Sequence, residues 1–259
     1  MNQRIAINGF GRIGRTVLRA WTARESLRQT VSIAAINEIA DPETVAHLTQ
    51  YDSTHGRFPG TIARTDDALI VNGQSIALLR HTHIDKLPWR DLGIDLVIES
   101  TGAFSDRVTA EQHIHSGARR VLFSQPAQSD VDATIVWGLN QSELQGNHQI
   151  ISAGSCTTNA LAPLLRVLHE AYGVLAGHMT TIHCYTGSQP TVDAPRGAAL
   201  ERNRAAALSM VPTSTSAAVL IDKILPELAG RVKGCAVRVP NKTSARCWKN
   251  ACGITIRAS

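Results

Sequence analysis

A glycine-rich turn near the start of the chain constrains the fold more than any other feature. Residues Gly9-Phe10-Gly11-Arg12-Ile13-Gly14 have the spacing G-x-G-x-x-G. Arg4 to Asn8, just before it, reads as a strand. Ile13 to Ala23, just after it, reads as a helix with Ile13, Val17, Leu18 and Trp21 on one face. Three glycines alone make only a tight turn. Between a strand and a helix they match the first βα turn of a dinucleotide-binding sheet. Glycine lets the main chain approach a pyrophosphate without a Cβ in the way. The start of the helix offers free N–H groups and a positive dipole end to that anion. The pattern also calls for an acidic residue roughly 20 residues further on, and Glu38 follows the apolar run Val31 to Ile36. A carboxylate there accepts from ribose hydroxyls and repels a 2′-phosphate, so the cofactor implied is NAD rather than NADP. Gly9, Gly11, Gly14 and Glu38 are the first candidate cofactor residues.

The rest of the first half alternates strand-like and helix-like segments. Asp41 to Thr49 predicts a short helix, with Asp41 as cap and Pro42 at the first turn. Ala68 to Val71 and Ser75 to Leu79 flank Asn72-Gly73, a hairpin signal. Leu96 to Glu99 and Val121 to Ser124 read as strands, with a helix between them over Thr109 to Ser116. This alternation predicts an α/β fold: a Rossmann-type doubly wound parallel sheet. The second half is of mixed α+β character. Thr157 to Tyr172 reads as a helix and Met179 to Tyr185 as a strand. Ala205 to Met210, Ala217 to Ile224 and Val232 to Val239 continue the pattern. The expected division is a cofactor domain over 1–153, a partial catalytic domain over 154–240, and an atypical tail over 241–259.

Composition narrows the function classes. The net charge of +5 is spread along the chain, and aromatics are 4% of residues. That offers no base-stacking surface, so nucleic acid is not an expected partner. No stretch approaches the roughly 20 apolar residues of a membrane span. Strand-like sequence begins at once, with no export signal, and a cytoplasmic location is expected. A basic chain suits anionic substrates. The five cysteines are odd in number, which argues against a disulfide framework. Cys247 and Cys252 have no matching pair, and no metal site is expected.

One cysteine stands in a reactive context. Cys156, in Ser155-Cys156-Thr157-Thr158-Asn159, precedes the helix Leu161 to Leu168. A thiolate at a helix start is stabilised by the dipole and by free N–H groups. His183 follows in the strand-like Thr180-Thr181-Ile182-His183. A cysteine nucleophile with a histidine base is the pairing to test. Spacing alone leaves open a packed cysteine and a core histidine.

Several ordered motifs together resemble the phosphorylating glyceraldehyde-3-phosphate dehydrogenase family. They are Ile7 to Arg15, Ser155 to Asn159, His183-Cys184-Tyr185-Thr186, Pro212 to Ala218 and Leu225 to Gly230, and the likeness runs from residue 4 to about 240. Asn37-Glu38, Tyr51 to Phe58, Leu87 to Arg90 and Val121 to Ser124 look closer to the sister erythrose-4-phosphate dehydrogenases. The resemblance implies oxidation of a sugar-phosphate aldehyde with NAD through a thioester on Cys156, with His183 as base. Inorganic phosphate releases the product, or water in the sister enzyme. It implies Arg12, Ile13, Arg80 and Ser124 as further cofactor contacts. It implies Ser155, Thr157, Thr186, Arg202, Thr215, Ser216 and Arg238 as substrate and phosphate contacts, since hydroxyls and guanidinium groups suit phosphate. It also implies a homotetramer where the fold is complete.

The sequence departs from the family pattern in three places. Ala153 replaces the usual asparagine, and Ala160 replaces the usual second cysteine. After Arg238-Val239-Pro240 the likeness ends, so residues 241–259 read as out of frame or truncated. Loss of the family's following strands predicts an exposed sheet edge and low stability, with an inactive NAD-binding remnant as the alternative function.

Overall fold

The computed structural model describes residues 2–197, 199–241 and 252–258, the last stretch by its backbone alone. The chain divides into two compact units: Met1–Ile135 with Asn140–Gly154, and Val136–Leu139 with Ser155–Ser259.

The first unit runs β1 (Gln3–Asn8), α1 (Arg12–Ala23), α2 (Glu25–Thr30), β2 (Val31–Asn37), α3 (Pro42–Gln50), β3 (Ile62–Arg64), β4 (Ala68–Val71), β5 (Gln74–Leu79), β6 (Leu96–Glu99), α4 (Arg107–His115), β7 (Arg120–Phe123), β8 (Ala133–Thr134) and β9 (Ile150–Ser152). Its sheet has the order β3-β4-β5-β2-β1-β6-β7-β9-β8. Neighbours run parallel except at β3/β4 and β4/β5. The chain winds from β1 out through β2, then returns to the other side of β1 with β6. Such a reversal leaves a crevice at the carboxyl ends of the two strands.

Alternation along β1 sorts its side chains to the two faces. Ile5 and Ile7 join Leu18, Trp21, Ile33 and Ile36 in one core. Ala6 joins Ala35, Trp89, Ile94 and Val97 in the other. Burial on both faces is the condition for a parallel sheet. Local signals act as expected. The Asp41 carboxylate accepts the Thr44 N–H at 2.8 Å and caps α3. Asn72 (φ 50) and Gly73 (φ 81) both take the left-handed turn that joins β4 to β5. Asp106 caps α4 by accepting the Thr109 N–H at 2.8 Å, so this helix starts at Arg107 rather than at Thr109.

The second unit runs α5 (Cys156–Tyr172), β10 (Val174–Cys184), β11 (Val211–Thr213), α6 (Ala217–Ile224), β12 (Val232–Val239) and β13 (Cys252–Ala258). The sheet order is β11-β12-β10-β13. Strands β10 and β12 are parallel, with His183 opposite Arg238. Leu161 and Leu165 of α5 pack with Leu220, Ile221 and Ile224 of α6, and with Met179 and Val232 of the sheet.

Three expectations change here. Strand β10 begins at Val174, not Met179, because its first residues are carried by pairing with β12 and β13 rather than by apolar alternation. Ala205 to Met210 forms neither helix nor strand; Ala206 is buried there and donates its N–H to the Pro190 carbonyl at 3.0 Å instead of to a helix or strand partner. The exposed sheet edge expected from the loss of following strands does not lie at β10: that strand is paired antiparallel with β13, from Thr181 opposite Cys252 to Val174 opposite Ala258. The rest of the tail, residues 242–251 and 259 with Cys247 among them, lies outside the described residues.

Candidate active site

In the first unit the crevice between β1 and β6 opens into a cleft of about 380 Å³, the size range of cofactor sites. Gly9, Gly11 and Glu38 line it, with Asn8, Asn37 and Thr101. Each glycine of the turn has its own reason. Gly9 sits at φ +86, and a Cβ on it would stand 2.5 Å from the Thr101 main chain. A Cβ on Gly14 would stand 2.5 Å from the Gly9 carbonyl oxygen, so Gly14 serves helix–strand packing. A Cβ on Gly11 would meet nothing within 4 Å; the space it leaves open belongs to the cleft. The Glu38 carboxylate accepts the Phe10 N–H at 2.8 Å and so is tied across the turn. An open cradle at a helix start, with a carboxylate fixed beside it, fits a dinucleotide.

The other expected cofactor residues stand outside the cleft's lining. Arg12 pairs with Asp52 at 2.7 Å. Burial works against the Asp52 charge, but the hydrogen bonds from Arg12, His55 and Thr54 prevail and hold its carboxyl well below the usual range. Ile13 is half exposed on α1, and Arg80 is exposed after β5. Ser124 donates its N–H to the Glu99 carbonyl at 3.0 Å. Asn8, Asn37 and Thr101 were missed. Their one available signal is their place at or just past the carboxyl ends of β1, β2 and β6.

In the second unit Cys156 is the first residue of α5, a helix of 17 residues. The Ser155 hydroxyl caps that helix by accepting the Thr158 N–H at 2.9 Å. Cys156 Sγ lies 3.3 Å from His183 Nε2. This hydrogen bond is the main reason the thiol lies below its ordinary range; Thr157 adds to it. The same bond is the main reason the imidazole is raised, to about 10. Both shifts favour the thiolate–imidazolium form of the pair.

The far side of the imidazole is held as well. His183 Nδ1 lies 2.7 Å from the Cys184 carbonyl oxygen. Arg238 Nη1 donates to that oxygen at 2.9 Å and lies 2.8 Å from Nδ1. Two donors sharing one acceptor explains the close approach of Nη1 and Nδ1. Arg238 thus reaches the site through the back of His183. It can do so because the two residues share a rung of β10 and β12.

The remaining expected anion residues are engaged locally. The Thr186 hydroxyl lies 3.0 Å from that of Ser188. Arg202 Nε donates to Thr213 Oγ1 at 2.8 Å. Thr215 Oγ1 accepts the Ala217 N–H at 3.2 Å, and Ser216 is the cap residue of α6. Among the described residues no group of three or more His, Cys, Asp or Glu side chains could hold a metal.

Two family models match the chain. Residues 3–107 match the NAD binding domain of glyceraldehyde 3-phosphate dehydrogenase, and residues 155–247 match its C-terminal domain. The chain belongs to the glyceraldehyde 3-phosphate dehydrogenase family. Its relatives include the chromosomal glyceraldehyde-3-phosphate dehydrogenase of Cupriavidus necator, 48% identical over 240 residues, which cover 93% of this chain and 71% of the relative. The enzyme of the same name from Xanthobacter flavus is also 48% identical, over 93% of this chain and 70% of the relative. That of Clostridium acetobutylicum is 46% identical, over 93% of this chain and 71% of the relative. This family has an NAD-binding domain where the glycine turn and Glu38 lie, and the cofactor is NAD.

Proposed function

We propose that this NAD-dependent dehydrogenase oxidises glyceraldehyde 3-phosphate, with inorganic phosphate as second substrate, through a thioester on Cys156. The observation that carries the reading is the 3.3 Å contact of Cys156 Sγ with His183 Nε2 at the start of α5. The thiolate adds to the aldehyde carbon, and the new oxyanion takes a proton from the His183 imidazolium to give a hemithioacetal. His183, now neutral, takes that hydroxyl proton back as the carbon is oxidised to the thioester. Bound NAD supplies the acceptor for the hydride that leaves this carbon. Phosphate then attacks the thioester carbon and frees the acyl phosphate, and sulfur departs as thiolate beside the imidazolium.

Gly9, Gly11 and Glu38 hold the cofactor in this reading. Thr157, Thr186, Arg202, Thr215, Ser216 and Arg238 supply donors for the two phosphate groups. A homotetramer and a cytoplasmic location belong to the same proposal; light scattering tests the first and cell fractionation the second. The relatives named above support the triose substrate.

The decisive assay follows NADH absorbance with purified protein, NAD and glyceraldehyde 3-phosphate. Turnover that needs phosphate and vanishes in Cys156→Ala is expected. Turnover without phosphate, faster on erythrose 4-phosphate, would transfer the reading to the sister enzyme.

A further inference from the structure

Beneath the glycine turn lies a buried polar chain that the thiol chemistry does not use. Glu99, at the end of β6, is 0% exposed, and both of its oxygens are occupied. Oε1 accepts the Thr101 N–H at 2.9 Å and also the Thr101 hydroxyl. Oε2 accepts from Asn8 Nδ2 at 2.6 Å and lies 3.2 Å from His113 Nε2. The Trp89 indole N–H can only donate, and it points at His113 Nδ1 at 2.9 Å. Nδ1 is therefore the lone-pair nitrogen, and Nε2 carries the proton. The ring is a neutral donor toward Glu99. Burial opposes the Glu99 charge, but hydrogen bonds from His113, Thr101 and Asn8 outweigh it and hold the carboxyl below its ordinary range. Glu99 is a buried anion that can only accept.

That one-way character propagates outward. Asn8 must turn its NH2 to Glu99, which leaves Asn8 Oδ1 to accept from Asn37 Nδ2 at 2.8 Å. Asn37 Oδ1 then accepts the His81 N–H at 2.9 Å, and Asn37 Nδ2 also donates to the His81 carbonyl at 3.0 Å. Asn8, Asn37, His81 and Thr101 line the cleft; Glu99 does not.

We propose that Glu99 is a positioning residue for the cofactor: through Asn8 and Asn37 it fixes which donors and acceptors the cleft floor presents, and through Thr101 it holds the end of β6 against Gly9. The inference rests on the reading that this cleft takes NAD. Glu99→Gln keeps the shape but puts a donor where only acceptors fit, so an amide must flip or stay unpaired.

The test measures NAD affinity by tryptophan fluorescence quenching in the wild type, Glu99→Gln, Asn37→Ala and the double variant. Urea midpoints of the free proteins, and KM and kcat, are measured beside it. Glu99→Gln should weaken NAD binding about tenfold or more and raise KM for NAD in step, with kcat at saturating NAD within about twofold. The losses of the two single variants should not multiply in the double variant. A folded Glu99→Gln with wild-type affinity, or losses that multiply, would overturn the proposal. If Glu99→Gln does not fold, Asn8→Ser decides, because it cuts the link to Asn37 and leaves Glu99 its other donors. Affinity within about twofold of wild type there would equally overturn it, and a loss of about tenfold would support it. If the wild type itself fails to bind NAD, the cofactor reading falls, and the proposal with it.

Discussion

Nε2 of His183 stands 3.3 Å from Sγ of Cys156. Lowered, the thiol supplies its anion above its own pKa and loses it as pH falls through that value. Raised to about 10, the imidazole keeps its proton until pH rises through that value. The ion pair is therefore favoured between the lowered thiol value and the raised imidazole value. Iodoacetamide should alkylate Cys156 readily at pH about 7. In His183→Asn the inflection of the rate should move up toward about 8.5, the ordinary thiol value. Labelling followed by peptide mass across pH checks this; a profile unmoved by the substitution would dismiss the histidine as the cause.

Gly9 and Gly11 should respond differently to alanine. Gly9→Ala forces a positive φ and a backbone contact of 2.5 Å. It should cost roughly 1–3 kcal/mol or more in stability. Gly11→Ala meets nothing within 4 Å, so its melting midpoint should barely move while its KM for NAD rises. Thermal melts and NAD titrations separate the two. Equal loss of stability in both would contradict this account of the turn.

Asp52 should report on acid stability. Its carboxyl lies below the usual range when folded. The stability it contributes is present above the unfolded value of about 3.9 and disappears as pH falls through the folded value. Asp52→Asn should lower the urea midpoint near neutral pH and flatten its decline in acid. An acid limb as steep as that of the wild type would mean other carboxylates carry it.

The cap of α5 should be worth about 1 kcal/mol. Ser155→Ala removes the acceptor that the Thr158 N–H uses at 2.9 Å, and it loosens the helix turn that carries Cys156. Urea melts should show the loss, and Ser155→Asp should restore most of it. No restoration by aspartate would argue that the serine is needed for something other than capping.

Local signals made much of the first unit legible. The Asn72-Gly73 turn and the Asp41 cap each depend on a few neighbouring residues, and each formed where the sequence placed it. The turn at Gly9 was legible because its neighbours on both sides agreed with it. The Glu99 chain was not legible: Asn8 and Glu99 are separated by 91 positions, and only the β1–β6 pairing joins them. The same holds for His183 and Arg238. Nothing in either segment announces the other; the parallel register of β10 and β12 does. Val174 to His178 was missed for a related reason, since pairing with neighbours made it a strand.

That shared rung also ties folding to chemistry. A slip of one residue between β10 and β12 would send the guanidinium of Arg238 to the opposite face of the sheet. The imidazole would lose its rear support in the same event. A misregistered sheet could therefore look well formed by its strand content and still be a poor nucleophile, so the reactivity of one sulfur atom reports on how a whole sheet was threaded.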